Sequence, residues 1–198
     1  MYGILKDGQV LAEFVAPLDF LSNQPVMASD ALSLKRTASV SPSQRWELEC
    51  RLMPLSWDAN ELFVHFTVNG RHKQYTIIVP QNTGVIALRT SKSMGHSCTG
   101  ARGAASLSLS NWSGNAPAGT FIRFNNDTKI YMITESLKSG SSSVAIYPPL
   151  RKAITSGTFN HQDDVQMPVW LDTDNVRGMR YTDGILMDLG VLKFVEAL

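Results

Sequence analysis

Alternation of apolar and polar positions dominates the chain, and it predicts strands far more often than helices. The clearest case is residues 44–52, QRWELECRL, where Trp46, Leu48, Cys50 and Leu52 point one way and Arg45, Glu47, Glu49 and Arg51 the other. Such a strand has one face in a core and one facing solvent or a partner, and Pro54 is expected to stop it. Residues 165–171 repeat the pattern, with Val165, Met167 and Val169 against Gln166 and Trp170. A third cluster lies between residues 104 and 158. There the strands 106–110, 121–124, 129–134 and 144–147 are separated by the turn cluster Asn125-Asn126-Asp127 and a Gly/Ser loop. Pro148-Pro149 closes this cluster, because proline cannot donate to a ladder.

Further strands are predicted at residues 9–15, 31–35, 74–79 and 85–89, and a final one over 185–194. A loop is expected after residue 15 through Pro25, and a linker over 90–103, where Thr, Ser, Gly and Lys take over. One helix interrupts the series. Asp58 and Glu61 form an Asp-x-x-Glu capping box, with Ser56 as the alternative cap. Ala59, Leu62, Phe63 and Phe66 then fall at i, i+3, i+4 and i+7, and Asn69-Gly70 supplies the C-terminal stop. With no repeated βα unit, the architecture is expected to be mainly β.

Composition narrows the function. The 198 residues are 43% hydrophobic but only 18% charged, and net charge is +1. No electrostatic footprint for nucleic acid or an anionic membrane follows from that balance. The sparse charge instead favours burial in an assembly, since proteins usually carry about a quarter charged residues. Two cysteines, Cys50 and Cys98, make no disulfide framework and fit a reducing compartment. Neither a signal peptide nor a membrane-spanning run is read.

The residues that carry chemistry elsewhere make no site here. His96 and Cys98 lack a second ligand pair at zinc spacing. His161 beside Asp163 and Asp164 reads as a polar turn. Asp172-Thr173-Asp174-Asn175 opens like a calcium loop, but Val176 and Arg177 break it. No nucleophile elbow or carboxylate pair is present. Phe121, Arg123, Lys129 and Tyr131 carry a faint basic-aromatic pattern suited to single strands, against a default core role. The expectation is therefore no enzyme, no cofactor and no metal.

Three segments carry a resemblance: QRWELECRLMPLSWDANELFVHF, then NAPAGTFIRFNNDTKIYMIT with VAIYPPLR, and the closing VLKFVEAL. Their order resembles the distal tail (tail hub) proteins of tailed bacteriophages, of the T5 type. In that family a Trp- and charge-rich strand passes through Pro-Leu into a short helix. A Pro-x-Gly, strand, turn and Lys-x-Tyr-x-Ile block then leads to a Tyr-Pro-x-Leu ending. Pro117, Gly119, Lys129, Tyr131, Ile133, Tyr147, Pro148 and Leu150 occupy those places here, and Val195–Leu198 resembles the closing tail.

The resemblance implies a β-sandwich-like ring-forming domain with one short helix, made of residues 1–99 and 161–198. An OB-like β-barrel is inserted as residues 100–160. It implies a structural virion protein of the tail tip or baseplate, assembled in the bacterial cytoplasm. Such proteins form a homo-hexameric ring that joins the tail tube protein to the baseplate hub protein and carries a fibre or receptor-binding protein. The alternative is a free OB-fold module for single-stranded nucleic acid or oligosaccharide. Residues 172–188 have no counterpart in the resemblance. Their Arg177, Arg180 and Tyr181 are of the types enriched at interfaces, so the segment reads either as a subunit contact or as a solvated loop.

Overall fold

Alternation of this kind requires a core on one side of each strand, and the described residues form two. A computed structural model describes residues 2–30, 36–41, 43–53, 59–81, 95–161, 165–173, 180–182, 186–188 and 190–198. The fold is mainly β, with one helix among the described residues. The strands are β1 (Gly3–Lys6), β2 (Gln9–Asn23), β3 (Val26–Asp30), β4 (Arg36–Val40), β5 (Arg45–Leu52) and β6 (Tyr75–Ile78). They continue with β7 (Ser97–Gly100), β8 (Ser106–Ser110), β9 (Phe121–Phe124), β10 (Ile130–Ile133), β11 (Ser143–Tyr147) and β12 (Ile154–Gly157). The last are β13 (Phe159–His161), β14 (Gln166–Leu171), β15 (Arg180–Thr182), β16 (Leu186–Asp188) and β17 (Val191–Glu196), and helix α1 spans Ala59–Asn69.

Segments from both ends of the chain close one antiparallel barrel, in the order β1-β2-β5-β17-β14-β6. Its core holds Ile4, Leu48, Cys50, Ile77, Met167, Val169 and Phe194. Helix α1 adds Leu62 and Phe66 to the same core. Gly70 ends it at φ +50, its N–H donating to the Phe66 carbonyl at 2.8 Å, the left-handed cap expected of Asn-Gly. The predicted caps Asp58 and Ser56, like Pro54 and the predicted strands 31–35 and 85–89, lie outside the described residues.

Strands β7 to β13 form a second, seven-stranded sheet in the order β12-β7-β8-β11-β10-β9-β13. The sheet curls, since its two edge strands β12 and β13 are joined through Thr158 alone. Leu107, Ile122, Phe124, Tyr131, Ile133, Val144 and Ile146 form its own core. It leaves and re-enters the barrel at neighbouring points: Gln166 pairs with Ile78, and the Val79 N–H donates to the Val165 carbonyl at 2.9 Å.

Three expectations change. Strand β2 does not end at Val15 but runs on to Asn23, with Pro17 inside the register shift between Val15 and Asp19. A bulge asks no ladder hydrogen bond of proline, so the strand survives it. The expected linker 90–103 contains β7, whose Cys98 is buried in the second core. The expected final strand is two, β16 and β17, separated before Gly190 at φ +76, a left-handed conformation that glycine adopts without strain.

The polar face of β5 also differs from expectation. Glu47 is buried, bonded by Asn23 Nδ2 at 2.6 Å, Lys193 Nζ at 3.0 Å and Arg45 Nε at 3.1 Å. The Asn23 bond, with the Lys193 and Arg45 contacts after it, holds its carboxyl below the usual range despite burial. Leu48→Ala is expected to cost about 2–5 kcal/mol, as for other core truncations. Glu47→Ala should cost about 1–3 kcal/mol through its lost charged hydrogen bonds. Glu49→Ala should stay within about 0.5 kcal/mol. Urea midpoints of the three variants check the order, and equal losses at 47 and 49 would contradict it.

Candidate assembly surfaces and the junction between the sheets

Among the described residues, an aromatic cluster and a buried ion pair stand at the centre of the contact between the second sheet and the barrel. Trp46 of β5 stacks on Phe20 of β2, with ring centroids 5.2 Å apart at 15°. Phe121 of β9 meets both rings edge-on, at 5.3 Å from Trp46 and 5.0 Å from Phe20. Trp46 Nε1 donates to the Ile130 carbonyl at 2.9 Å, so the indole spans the boundary with its one polar atom satisfied. Gln81 completes the seam. Its side chain accepts from the Phe121 N–H and donates to the Phe121 carbonyl, both at 3.3 Å.

Beside this cluster Lys129 pairs with Glu196, and both side chains are almost fully buried. Lys129 Nζ also donates to the carbonyl of Gln44 at 2.8 Å and to its Oε1 at 2.7 Å. Glu196 accepts from the N–H groups of Ile130 at 2.8 Å and Trp46 at 3.1 Å. Burial pushes the Lys129 ammonium down and the Glu196 carboxyl up, more than their mutual attraction restores. This is the balance expected of a buried pair, where desolvation rivals the Coulombic gain. A pocket of about 340 Å³ opens beside Lys129 and Gln44, lined also by Arg102, Pro149, Arg151 and Leu198. Nearby, Asp127 binds Arg151 and accepts from Tyr131 Oη at 2.9 Å, while the Arg151 N–H donates to that same phenol oxygen at 3.0 Å. Burial raises the Asp127 carboxyl, but these bonds together hold it net below its usual range.

Among the described residues, two β-ribbons leave the barrel at opposite ends. Beyond the Asn23–Arg45 pair, the β2–β5 ladder continues into an arm in which β3 pairs with β4, from Val26–Val40 to Asp30–Arg36. The joint is held by the Ser41 N–H on the Pro25 carbonyl at 2.9 Å and Gln24 Nε2 on the Ser41 carbonyl at 2.8 Å. Every residue of β3 is exposed, Val26 at 55% and Met27 at 82%. At the far end, where Val191 pairs with Arg51, strands β14 and β17 connect through the β15–β16 hairpin. Arg180 and Tyr181 lie in β15, opposite Asp188 and Met187. Arg177 lies outside the described residues, as do the side chains of this hairpin.

The remaining candidates are placed as follows. His96 is buried; its Nε2 accepts from the Phe159 N–H at 3.2 Å, and its ring lies 5.2 Å from Trp112 and 4.3 Å from Phe159. Cys98 donates to the Gly157 carbonyl at 3.0 Å, and burial pushes its thiol up to about 11. A protonated thiol of that kind is a packing group. His161 is buried in β13, while Asp163, Asp164 and Asp174 lie outside the described residues. Asp172 pairs with Arg71 at 3.6 Å. Among the described residues no group of three or more His, Cys, Asp or Glu is arranged to hold a metal. Phe121 and Tyr131 both face inward, one toward the barrel and one into the second core. Sequence reasoning missed the Gln44–Lys129–Glu196 cluster, whose members come from three distant segments.

No family model matches the chain, and no curated protein matches it in sequence.

Proposed function

We propose that the protein is a structural, ring-forming subunit of a bacteriophage tail tip, of the distal tail type. The observation that carries this reading is the β3–β4 arm. A two-stranded ribbon with both faces in water is marginal by itself, and this one presents Val26 and Met27 to solvent. Burial against a neighbour supplies what the arm lacks. A closed ring needs heterologous contacts, one patch meeting a different patch on the next copy. The arm and the β15–β16 hairpin are two such patches, on opposite ends of one barrel. The resemblance in the three segments adds the rest: a homo-hexamer, a tail tube protein on one side, a baseplate hub protein on the other, and a fibre or receptor-binding protein at the periphery. The inward-facing Phe121 and Tyr131 take away the stacking surface that a free single-strand binder would use.

Light scattering at micromolar concentration, with and without the tail tube protein, tests the proposal. A six-copy species is expected. Replacing residues 26–40 by a short Gly/Ser turn should abolish it while circular dichroism stays β-rich. Arg177→Ala with Arg180→Ala should weaken it if the hairpin is the second patch. A chain that stays monomeric throughout and binds a polyanion column with steep salt dependence would instead be the free binder.

A further inference from the structure

The junction cluster brings together the three groups of an amide exchange. Lys129 supplies a primary amine, Gln44 a carboxamide and Glu196 a carboxylate, and their residues are 3%, 4% and 4% exposed. Lys129 Nζ lies 2.7 Å from Gln44 Oε1. The carboxamide carbon sits one bond of about 1.2 Å behind that oxygen, so it lies within about 4 Å of the amine. Glu196 Oε2 touches the same Nζ, and the N–H groups of Trp46 and Ile130 hold its carboxylate in place. Gln44 Nε2 donates to Ser22 Oγ at 3.0 Å, which fixes the amide with its oxygen toward the amine. Such fixed, dry juxtaposition is what turns an unreactive amine and amide into partners.

We propose that Lys129 and Gln44 become joined by an intramolecular isopeptide bond, formed by the protein itself with Glu196 as the proton carrier. Glu196 takes one proton from the Lys129 ammonium. The freed lone pair attacks Gln44 Cδ, and the C=O electrons move onto Oε1. Glu196 passes its proton to Nε2, the electrons return from Oε1 to re-form the C=O, and the Cδ–Nε2 bond breaks with ammonia leaving. The second proton lost by the attacking nitrogen goes through Glu196 to that ammonia as ammonium. An ammonium and a carboxamide thus become a secondary amide and an ammonium ion, with no oxidant, nucleotide or metal required. The directions of the two perturbed groups suit the first step, since burial disfavours both charges. The pocket beside Lys129 and Gln44 gives ammonia its way out. The bond ties the entry of β5 to the entry of β10, making barrel and second sheet one covalent unit.

The test is mass spectrometry of the purified full chain, held folded for several days. The expected chain is lighter than its sequence by one ammonia. Trypsin should yield peptide 37–45 linked to peptide 124–138, uncut at Lys129. A succinimide at Asn69-Gly70 would lose the same mass, so the linked peptide decides. Lys129→Arg and Glu196→Gln should give the full mass and separate peptides. Gln44→Leu keeps the ion pair but removes the side-chain carboxamide, and it should also give separate peptides. Separate peptides 37–45 and 124–129 from the folded wild type would overturn the proposal, as would a linked peptide that persists in Glu196→Gln for the carrier role.

Discussion

In a Gln44→Leu background, which keeps the ion pair and cannot form the amide, Glu196→Ala should destabilise the fold by about 3–5 kcal/mol, the range for removing one partner of a buried ion pair. The loss is large because three groups are stranded together: the Lys129 ammonium and the N–H groups of Trp46 and Ile130. Without that carboxylate burial pushes the Lys129 ammonium further down, so this variant weakens rather than recovers on acidification. Lys129→Met should behave differently. Glu196 then keeps its two N–H donors but loses its counter-charge, and burial raises its carboxyl further. A group whose folded value lies above its unfolded value, near 4.5, stabilises while protonated and loses that contribution as pH rises through the folded value. Lys129→Met should therefore be weakest at neutral pH and recover as pH falls toward about 4.5. Urea unfolding of both variants across that range checks the contrast. Glu196→Ala recovering on acidification, or Lys129→Met showing no pH dependence, would mean that the pair is solvated at the junction.

The sequence shows where strands lie but not what covers them. The alternation of Trp46, Leu48, Cys50 and Leu52, of Met167 and Val169, and of Leu107 and Leu109 reports a buried face in each case. The helix stripe Leu62 and Phe66 was equally readable, because spacing alone places both on one face. Spacing says nothing about the opposite face. Glu47 reads as solvated and is buried, because Asn23 and Lys193 arrive from strands on either side of β5. Lys129 reads as a basic residue near aromatics and is a junction residue, because its partners stand 67 and 85 positions away. The arm gave no core signal, and correctly so. Neither VMASD nor RTASV has an apolar stripe, and β3 has no buried residue. What the pattern could not give was that two such segments would still pair, since the continuing β2–β5 ladder sets their register.

Replacing residues 82–161 by a short Gly/Ser linker should leave a barrel that still melts cooperatively but at lower temperature. The reason for survival is that the barrel core of Ile4, Leu48, Cys50, Ile77, Met167 and Phe194 is supplied by residues outside that segment. The ends of the excised segment also lie close together, since the Val79 N–H bonds the Val165 carbonyl. The reason for the loss is local. Phe121 and Ile130 are removed, so the outer faces of Trp46 and Phe20 meet water. Uncovering two large side chains at roughly 1.5–3 kcal/mol each gives an expected loss of about 3–6 kcal/mol. Glu196 adds little to it, because the carboxylate emerges into water rather than staying buried alone. With Trp57, Trp112 and Trp170 replaced by Phe, the emission from Trp46 alone should shift to the red on excision while far-ultraviolet dichroism stays β-rich. A red shift with all β signal lost would mean that the barrel needs the second sheet in order to fold. An unshifted emission would mean that Trp46 turns inward once uncovered.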